Sequence, residues 1–332
     1  MKKIIIVILC VVLLAAAVLY ACSPDGSDET VYSTITINEG DSVFEIASTL
    51  EKEGIISSSP GFIAKVFFSG YRSKIKYGTF SLSSDLSYDE ILQVISGNGI
   101  RTDVATLTIP EGYSLQQIAE LVENSPIKVT AEEFYQALDD DYNFDFLNEI
   151  PSSSYRDYRL QGFLFPSTYE FFIDTTAHDI IAALLGEFEK QYAQAGDNTT
   201  DLSFYEVITV ASIIEREALL KNELPVIAGV IRNRLKADMP LQIDATVVYA
   251  VTDGKYDKTS VSYADLEVDS RYNTYKYKGL TPGPICNPGA EAIKAALNPQ
   301  LNEYYYYHTD ETKKDGSHIF TSTYEEHSST MN

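Results

Sequence analysis

The sequence predicts an α+β protein in which an N-terminal membrane-spanning helix precedes a small βααβ module and a larger mixed α/β domain. Three observations carry that expectation. An uninterrupted apolar run extends from Ile4 to Ala21. A strand–turn–helix unit occurs twice, at 35–47 (ITINEGDSVFEIA) and at 107–119 (LTIPEGYSLQQIA). Further along, 178–195, 203–221 and 222–237 show the apolar spacing of helices. With 332 residues, the chain is long enough for two domains. The expected division is an anchor at 1–22, a linker at 23–33, the small module at 34–104 and the larger domain at 105–332.

The anchor follows from length and flanking charge. A bilayer core takes roughly 20 apolar residues as a helix. Lys2 and Lys3 precede the run and would stay cytoplasmic, leaving the body outside the cytoplasmic membrane. A secretory signal peptide is the rival reading, and LYAC at 19–22 offers lipid attachment at Cys22 as an alternative. Each of these exports the body.

In both repeats a short alternating strand leads into Glu-Gly as a turn. Ser42 or Ser114 then stands as helix N-cap, with Glu45 or Gln117 three residues on, the capping-box spacing. Between the repeats, 58–70 reads as a helix, and 74–99 as strand, turn and a helix ending at Gly97. Beyond the second repeat, Thr130 opens a helix, and the Gly/Pro-punctuated aromatic stretch 160–171 suggests a groove wall. After the two helices at 203–221 and 222–237, LQIDATVVYA at 241–250 reads as turn plus strand. GLTPGPICNPG at 279–289 is a rigid loop, with Asn287 as N-cap and Pro288 at the first position of the next helix. EYYYYHTD at 303–310 is a strand with Tyr on both faces.

Composition excludes several functions. There are 48 acidic and 25 basic residues, a formal charge of -23, which repels phosphate backbones and argues against nucleic-acid binding. The chain has no Trp but 24 Tyr, so an aromatic platform would be built from Tyr. Cys286 is the one cysteine of the body, which precludes an intradomain disulfide, and it reads as buried filler. His178 reads as a surface residue. His308, His318 and His327 near Glu325 and Glu326 lack metal-ligand spacing, so neither metal nor cofactor is expected.

The chemistry concentrates in VITVASIIEREA, 207–218. On a helical wheel Glu215 shares a face with Ile208, Ala211, Ser212 and Leu219, whereas Glu217 points nearly the opposite way and can pair with Lys221 at i+4. Both sides of the helix are apolar, so a Glu there either faces a cleft or is buried at a desolvation cost. In an apolar pocket its pKa rises, the condition for protonating a leaving-group oxygen. A structural Glu tied to Arg216, Arg232 or Arg234 remains open on the wheel alone.

A resemblance adds to this. ASIIEREA, PVIAGVIRNRL, MPLQIDATVVYA, YNTYKYKGLTPGPICNPGAEAIKAALNP and GSHIFTSTYEEH, with IPEGYSLQQIA and GFLFPSTYEF upstream, resemble in order and spacing the YceG-like (MltG-type) endolytic murein transglycosylases over 35–332. Ala245 and Thr281 stand where that family often has Pro. The resemblance implies a single-pass membrane protein with a LysM-like module at 34–104, an extracytoplasmic catalytic domain and Glu215 as the catalytic acid. It implies cleavage of the MurNAc-β-1,4-GlcNAc bond within nascent glycan strands, leaving 1,6-anhydro-MurNAc ends. Peptidoglycan glycan strands are the implied substrate, and peptidoglycan synthases the implied partners. Gln242, Asp244, Thr246, Asn273 and Tyr275 are the expected substrate-binding residues, although Asp244 and Asn273 could equally cap turns and Tyr275 could belong to the core. A muramidase cutting the same bond with water, and a wall-binding scaffold without activity, remain the alternatives.

Overall fold

The computed structural model describes residues 31–98, 104–156 and 158–331. The expected anchor at 1–22 and Cys22 lie outside them. Among the described residues, no helix is long and apolar enough to cross a membrane. The chain divides into two compact units between Val104 and Ala105.

In the first unit, β1 (Tyr32–Ile37) and β2 (Gly78–Ser83) pair antiparallel, with Tyr32 opposite Ser83 and Ile37 opposite Gly78. Helices α1 (Val43–Lys52) and α2 (Ser59–Ser69) connect them, and α3 (Tyr88–Gln93) follows. The strands alternate as a half-buried ribbon should: Ile35, Ile37, Phe80 and Leu82 turn inward onto Ile46, Leu50, Phe62 and Ile91. Ser42 and Ser87 each close a complete capping box, with Glu45 and Glu90. This unit has a core of its own.

The second unit opens with β3 (Val104–Thr108), which pairs with β4 (Thr168–Phe172). Helices α4 (Leu115–Glu123) and α5 (Ala131–Ala137) lie between them in sequence, capped by Ser114 and Thr130 as expected. Helices α6 (Ala177–Gln194), α7 (Phe204–Glu217) and α8 (Leu224–Lys236) build the helical body, joined by α10 (Ala290–Leu297). Strands β5 (Tyr306–Thr309) and β6 (His318–Thr321) form an antiparallel hairpin, and α11 (Tyr324–Thr330) follows it. The core is rich in aromatics: Phe163 meets Phe188 edge-on at 5.1 Å, and Phe146 lies 5.0 Å from Phe188. Helix α7 runs through this core with every residue from Val207 to Ile214 buried.

Three local expectations are corrected. The segment 241–250 is not a strand but enters helix α9 (Asp244–Thr252). Its Thr-Val-Val run suits either state over so short a length. Burial settles it, because Thr246, Val247, Val248 and Tyr249 are consecutive and all buried, which a strand with one solvated face does not allow. The Thr252 hydroxyl bonds back to Val248 O at 2.7 Å, consuming a polar group the helix would otherwise bury unpaired. Second, α7 ends at Glu217 with Ala218 extended, not at residue 221. Leu219 therefore leaves the Glu215 face, and the expected Glu217–Lys221 pair does not form. Third, Asn287 is not a helix cap. Gly289 occupies that position before α10, and Asn287 serves elsewhere.

Candidate active site

The loop 279–289 is fastened to four parts of the second unit. Ser212 on α7 accepts the Ile285 N–H at 3.0 Å, and the Cys286 thiol donates to Ser212 O at 3.2 Å. Tyr256 donates its hydroxyl to Ile285 O at 2.9 Å. Asn287, fully buried, accepts from the N–H groups of Gly162 and Leu164 at 3.0 and 2.9 Å and donates to Tyr113 O at 2.9 Å. Gly162 has φ +97°, and a Cβ there would collide with Pro284, so the chain needs glycine at this crossing. Burial pushes the Cys286 thiol up and leaves it inert.

The fastening delivers Gly289 to Glu215. The Gly289 N–H donates to Glu215 Oε2 at 2.9 Å, so the half-buried carboxyl group meets the N-cap of α10. Among the described residues Glu215 forms no salt bridge. Arg216 instead donates to Gly112 O at 3.3 Å and lies 3.7 Å over the Tyr256 ring, and Arg234 is spent on the carbonyls of Tyr305, Pro240 and Leu241. The reading of Glu215 as an Arg-paired structural residue is thereby removed.

Burial pushes the Glu215 pKa above the ordinary carboxylate value of 4.5, against the Gly289 N–H, which favours the charged form. The negative charge of Glu111 adds to the rise, and Lys221 and Arg216 oppose it. Glu111 comes from the turn of the second sequence repeat. Its carboxylate packs against Gly289, where a Cβ would strike it, and Lys221 binds its Oε2 at 2.6 Å. A half-buried acid, a backbone donor and a second carboxylate held by Lys221 are thus brought together from separate stretches of sequence.

Of the five expected substrate-binding residues, Asp244 and Tyr275 lie by Glu217 rather than Glu215. Tyr307 donates its hydroxyl to Glu217 Oε2 at 2.7 Å, and the Ala245 N–H at the start of α9 also bonds this carboxylate. Tyr275 donates to Asp244 Oδ1 at 2.6 Å. Burial raises the Glu217 pKa, and Asp244 raises it further. Arg216, Glu217, Asp244, Tyr256 and Lys258 line a pocket of about 210 Å³. Gln242 is exposed and holds the left-handed region with φ 50°, a strained conformation of the kind found at working sites.

Thr246 and Asn273 are fully buried and face no solvent. The Thr246 hydroxyl meets Thr274 Oγ1 at 2.9 Å, and the Asn273 amide donates to Leu266 O and Val268 O at 2.8 and 2.9 Å. They hold the 266–275 segment against α9; Asp244 lines the pocket, with the Tyr275 hydroxyl bonded to it. The sequence alone does not single out Glu111 or Gly289, and it pairs Lys221 with Glu217 rather than with Glu111. The IPEGYS repeat carried the first of them, visible as a turn but not as a neighbour of Glu215. Of the histidines, His318 Nδ1 lies 2.7 Å from Glu223 Oε2, His308 packs edge-on to His327 at 5.3 Å and reaches Thr330, and His178 is 2.9 Å from Asp140.

The fold and this constellation place the chain among proteins that hold a partly buried carboxyl group, raised in pKa by desolvation, against a backbone N–H donor. It belongs to the YceG-like family, whose model matches residues 35–332. It is 36% identical over 329 residues to the endolytic murein transglycosylase of Bacillus subtilis (strain 168), covering 95% of this chain and 89% of that protein. The endolytic murein transglycosylase of Streptococcus pneumoniae (serotype 2) is 32% identical over 336 residues; the match takes in 93% of this chain but 60% of that longer protein. A 2.6 Å crystal structure of a yceG-like protein from Listeria monocytogenes superposes with TM-score 0.59 and 32% identity, covering 91% of this chain and 99% of that one.

Proposed function

We propose that this chain is an endolytic peptidoglycan lytic transglycosylase with Glu215 as its acid and base, anchored in the cell membrane by residues 1–22 with the catalytic body outside. The observation that carries the reading is the Glu215 carboxyl group, in no salt bridge among the described residues, raised in pKa by burial and bonded by the Gly289 N–H. Relatives that bear the name endolytic murein transglycosylase support the reaction class. The anchor rests on the apolar run and its flanking lysines, with lipid attachment at Cys22 as the alternative. The unit at 34–104 is read as a LysM-like glycan-binding module. Peptidoglycan synthases are the proposed partners, on the resemblance alone.

One carboxyl group suffices for this chemistry. Glycosidases that use water or a covalent intermediate need two. Here protonated Glu215 gives its proton to the glycosidic oxygen between MurNAc and GlcNAc. The C6 hydroxyl of the same MurNAc attacks its own anomeric carbon, the C1–O bond to the leaving sugar breaks, and Glu215 takes the hydroxyl proton. The nucleophile is tethered, so no second base has to activate water. Asp244, Tyr275 and Gln242 are proposed to bind the sugars along the adjoining crevice; Thr246 and Asn273 hold that wall in place.

The test is product mass analysis of purified, uncrosslinked glycan strands digested by the full chain and by Glu215→Gln. Anhydro ends from the wild type, with the variant reduced at least about a hundredfold, support the proposal. Reducing ends would assign a muramidase instead. No cleavage by the wild type would favour a wall-binding scaffold.

A further inference from the structure

A second pocket, of about 460 Å³, opens along the C-terminal half of α9 and takes no part in the chemistry above. Tyr249, Asp253, Tyr155, Tyr277, Arg271 and Asp269 line it. The guanidinium of Arg271 lies over two tyrosine rings, 4.4 Å from the Tyr277 centroid and 5.2 Å from that of Tyr155. Such stacking restrains its plane at the pocket lining. Asp253 and Asp269 are exposed, and Tyr277 donates its hydroxyl to Asp269 Oδ1 at 2.5 Å. Among the described residues none of these three charged groups forms a salt bridge, with each other or with any neighbour. A cation and two carboxylates held apart in one aromatic pocket complement a ligand that itself bears both signs.

The position favours a ligand attached to the strand being cut. The pocket beside Glu217 uses Asp244, Ala245 and Val248 of α9, and the second pocket uses Tyr249, Ala250 and Asp253 of the same helix. The helix from Asp244 to Thr252 rises roughly 12 Å. Arg216, next to the catalytic acid, stacks on Tyr256, which packs 6.2 Å from Tyr249 at the pocket wall. Murein carries short peptides on its MurNAc lactyl groups. Before cross-linking, each peptide presents carboxylates together with the free ammonium of its diamino acid.

We propose that this pocket binds the zwitterionic stem peptide of an uncrosslinked strand, Arg271 taking a carboxylate and Asp253 with Asp269 taking the diamino-acid ammonium. The inference rests on the reading of the chain as a murein-cleaving enzyme. It adds a preference: strands that bear peptides with a free amine are cut faster than strands stripped of peptide.

Calorimetric titration of the full chain with a soluble lysine-containing stem pentapeptide, free or N-acetylated on the lysine amine, tests it. Binding of the free peptide is expected, weakened about tenfold by acetylation and about tenfold by Arg271→Ala, the effect of losing one charge-assisted contact. Asp253→Asn, a change at an exposed side chain, is expected to abolish the distinction between free and acetylated peptide. In parallel, the ratio of kcat/KM on peptide-bearing to amidase-stripped strands should fall toward one in Arg271→Ala. The proposal is overturned if the wild type does not bind the free peptide, or if Arg271→Ala and Asp253→Asn bind both forms as the wild type does. Should the wild type cleave neither strand, the transglycosylase reading fails, and the titration still decides the pocket.

Discussion

At Glu215 two opposing influences meet, and their balance sets the chemistry. The Gly289 N–H at the head of α10 favours the carboxylate, and desolvation by the apolar walls of α7 favours the acid; desolvation is the larger. The folded state therefore holds the Glu215 proton more tightly than the unfolded state does. Its contribution to stability falls as pH rises from about 4.5, the ordinary value, through the raised folded value. Glu215→Gln, which removes the charge and keeps the shape, should raise Tm at pH 7 while abolishing cleavage, and the Tm difference from wild type should shrink as pH is lowered to 4. A Tm difference independent of pH would argue against a raised pKa. In the wild type, kcat should decline as pH climbs through the Glu215 value, since the acid form is consumed; a pH–rate series on purified strands measures this.

At the scale of elements, the working piece is the loop before α10, not α10 itself. Ser212, Asn287 and Tyr256 tie that loop to α7, to the 112–113 and 162–164 turns and to the segment after α9. Asn287→Ala would strand the buried N–H groups of Gly162 and Leu164, at a cost of about 3 kcal/mol, measurable by urea unfolding. Gly289→Ala probes the other end of the loop. Gly289 has an ordinary φ of −78°, so the backbone tolerates the change, but the new methyl must displace the Glu111 carboxylate. Activity should drop at least tenfold with stability nearly kept, because the Gly289 N–H and Glu111 both act on Glu215. Equal activity in Gly289→Ala would mean that the Glu111 position is immaterial to the acid. The same scale explains the strand expected at 241–250: a β-branched run of three residues carries no period long enough to choose, and the surrounding core chose.

At the scale of the whole molecule, each unit carries its own core, and the second is much the larger. A chain beginning at residue 105 should fold and unfold cooperatively by itself and retain cleavage of short soluble strands; far- and near-UV circular dichroism during thermal unfolding would show this. Loss of cooperative unfolding would indicate that the large core depends on the first unit. The charge of -23 suits a body that does not bind phosphate polymers. Raising salt from 50 to 200 mM should alter strand cleavage far less than the orders of magnitude expected of a phosphate-binding protein.

Much of this was legible in the chain alone. The capping boxes at Ser42 and Ser114 and the cap at Thr130 were readable because they are local, set by residues three apart. Glu215 stood out from Glu217 because helical period is local too. The burial of Cys286 followed from the lack of a base nearby in sequence. What the sequence could not give is what depends on distant segments meeting. The end of α7 at Glu217, the move of Lys221 from Glu217 to Glu111, and the use of Asn287 as a clip are all fixed by contacts more than 70 residues apart in the chain. The same holds for the zwitterionic pocket, whose Arg271, Tyr155 and Asp253 are ordinary surface residues until the fold sets them around one cavity. Local patterning determined most of the elements and set Glu215 apart from Glu217 on the helix face. Tertiary packing alone decided what surrounds that acid, because desolvation and hydrogen-bond partners are properties of the assembled core.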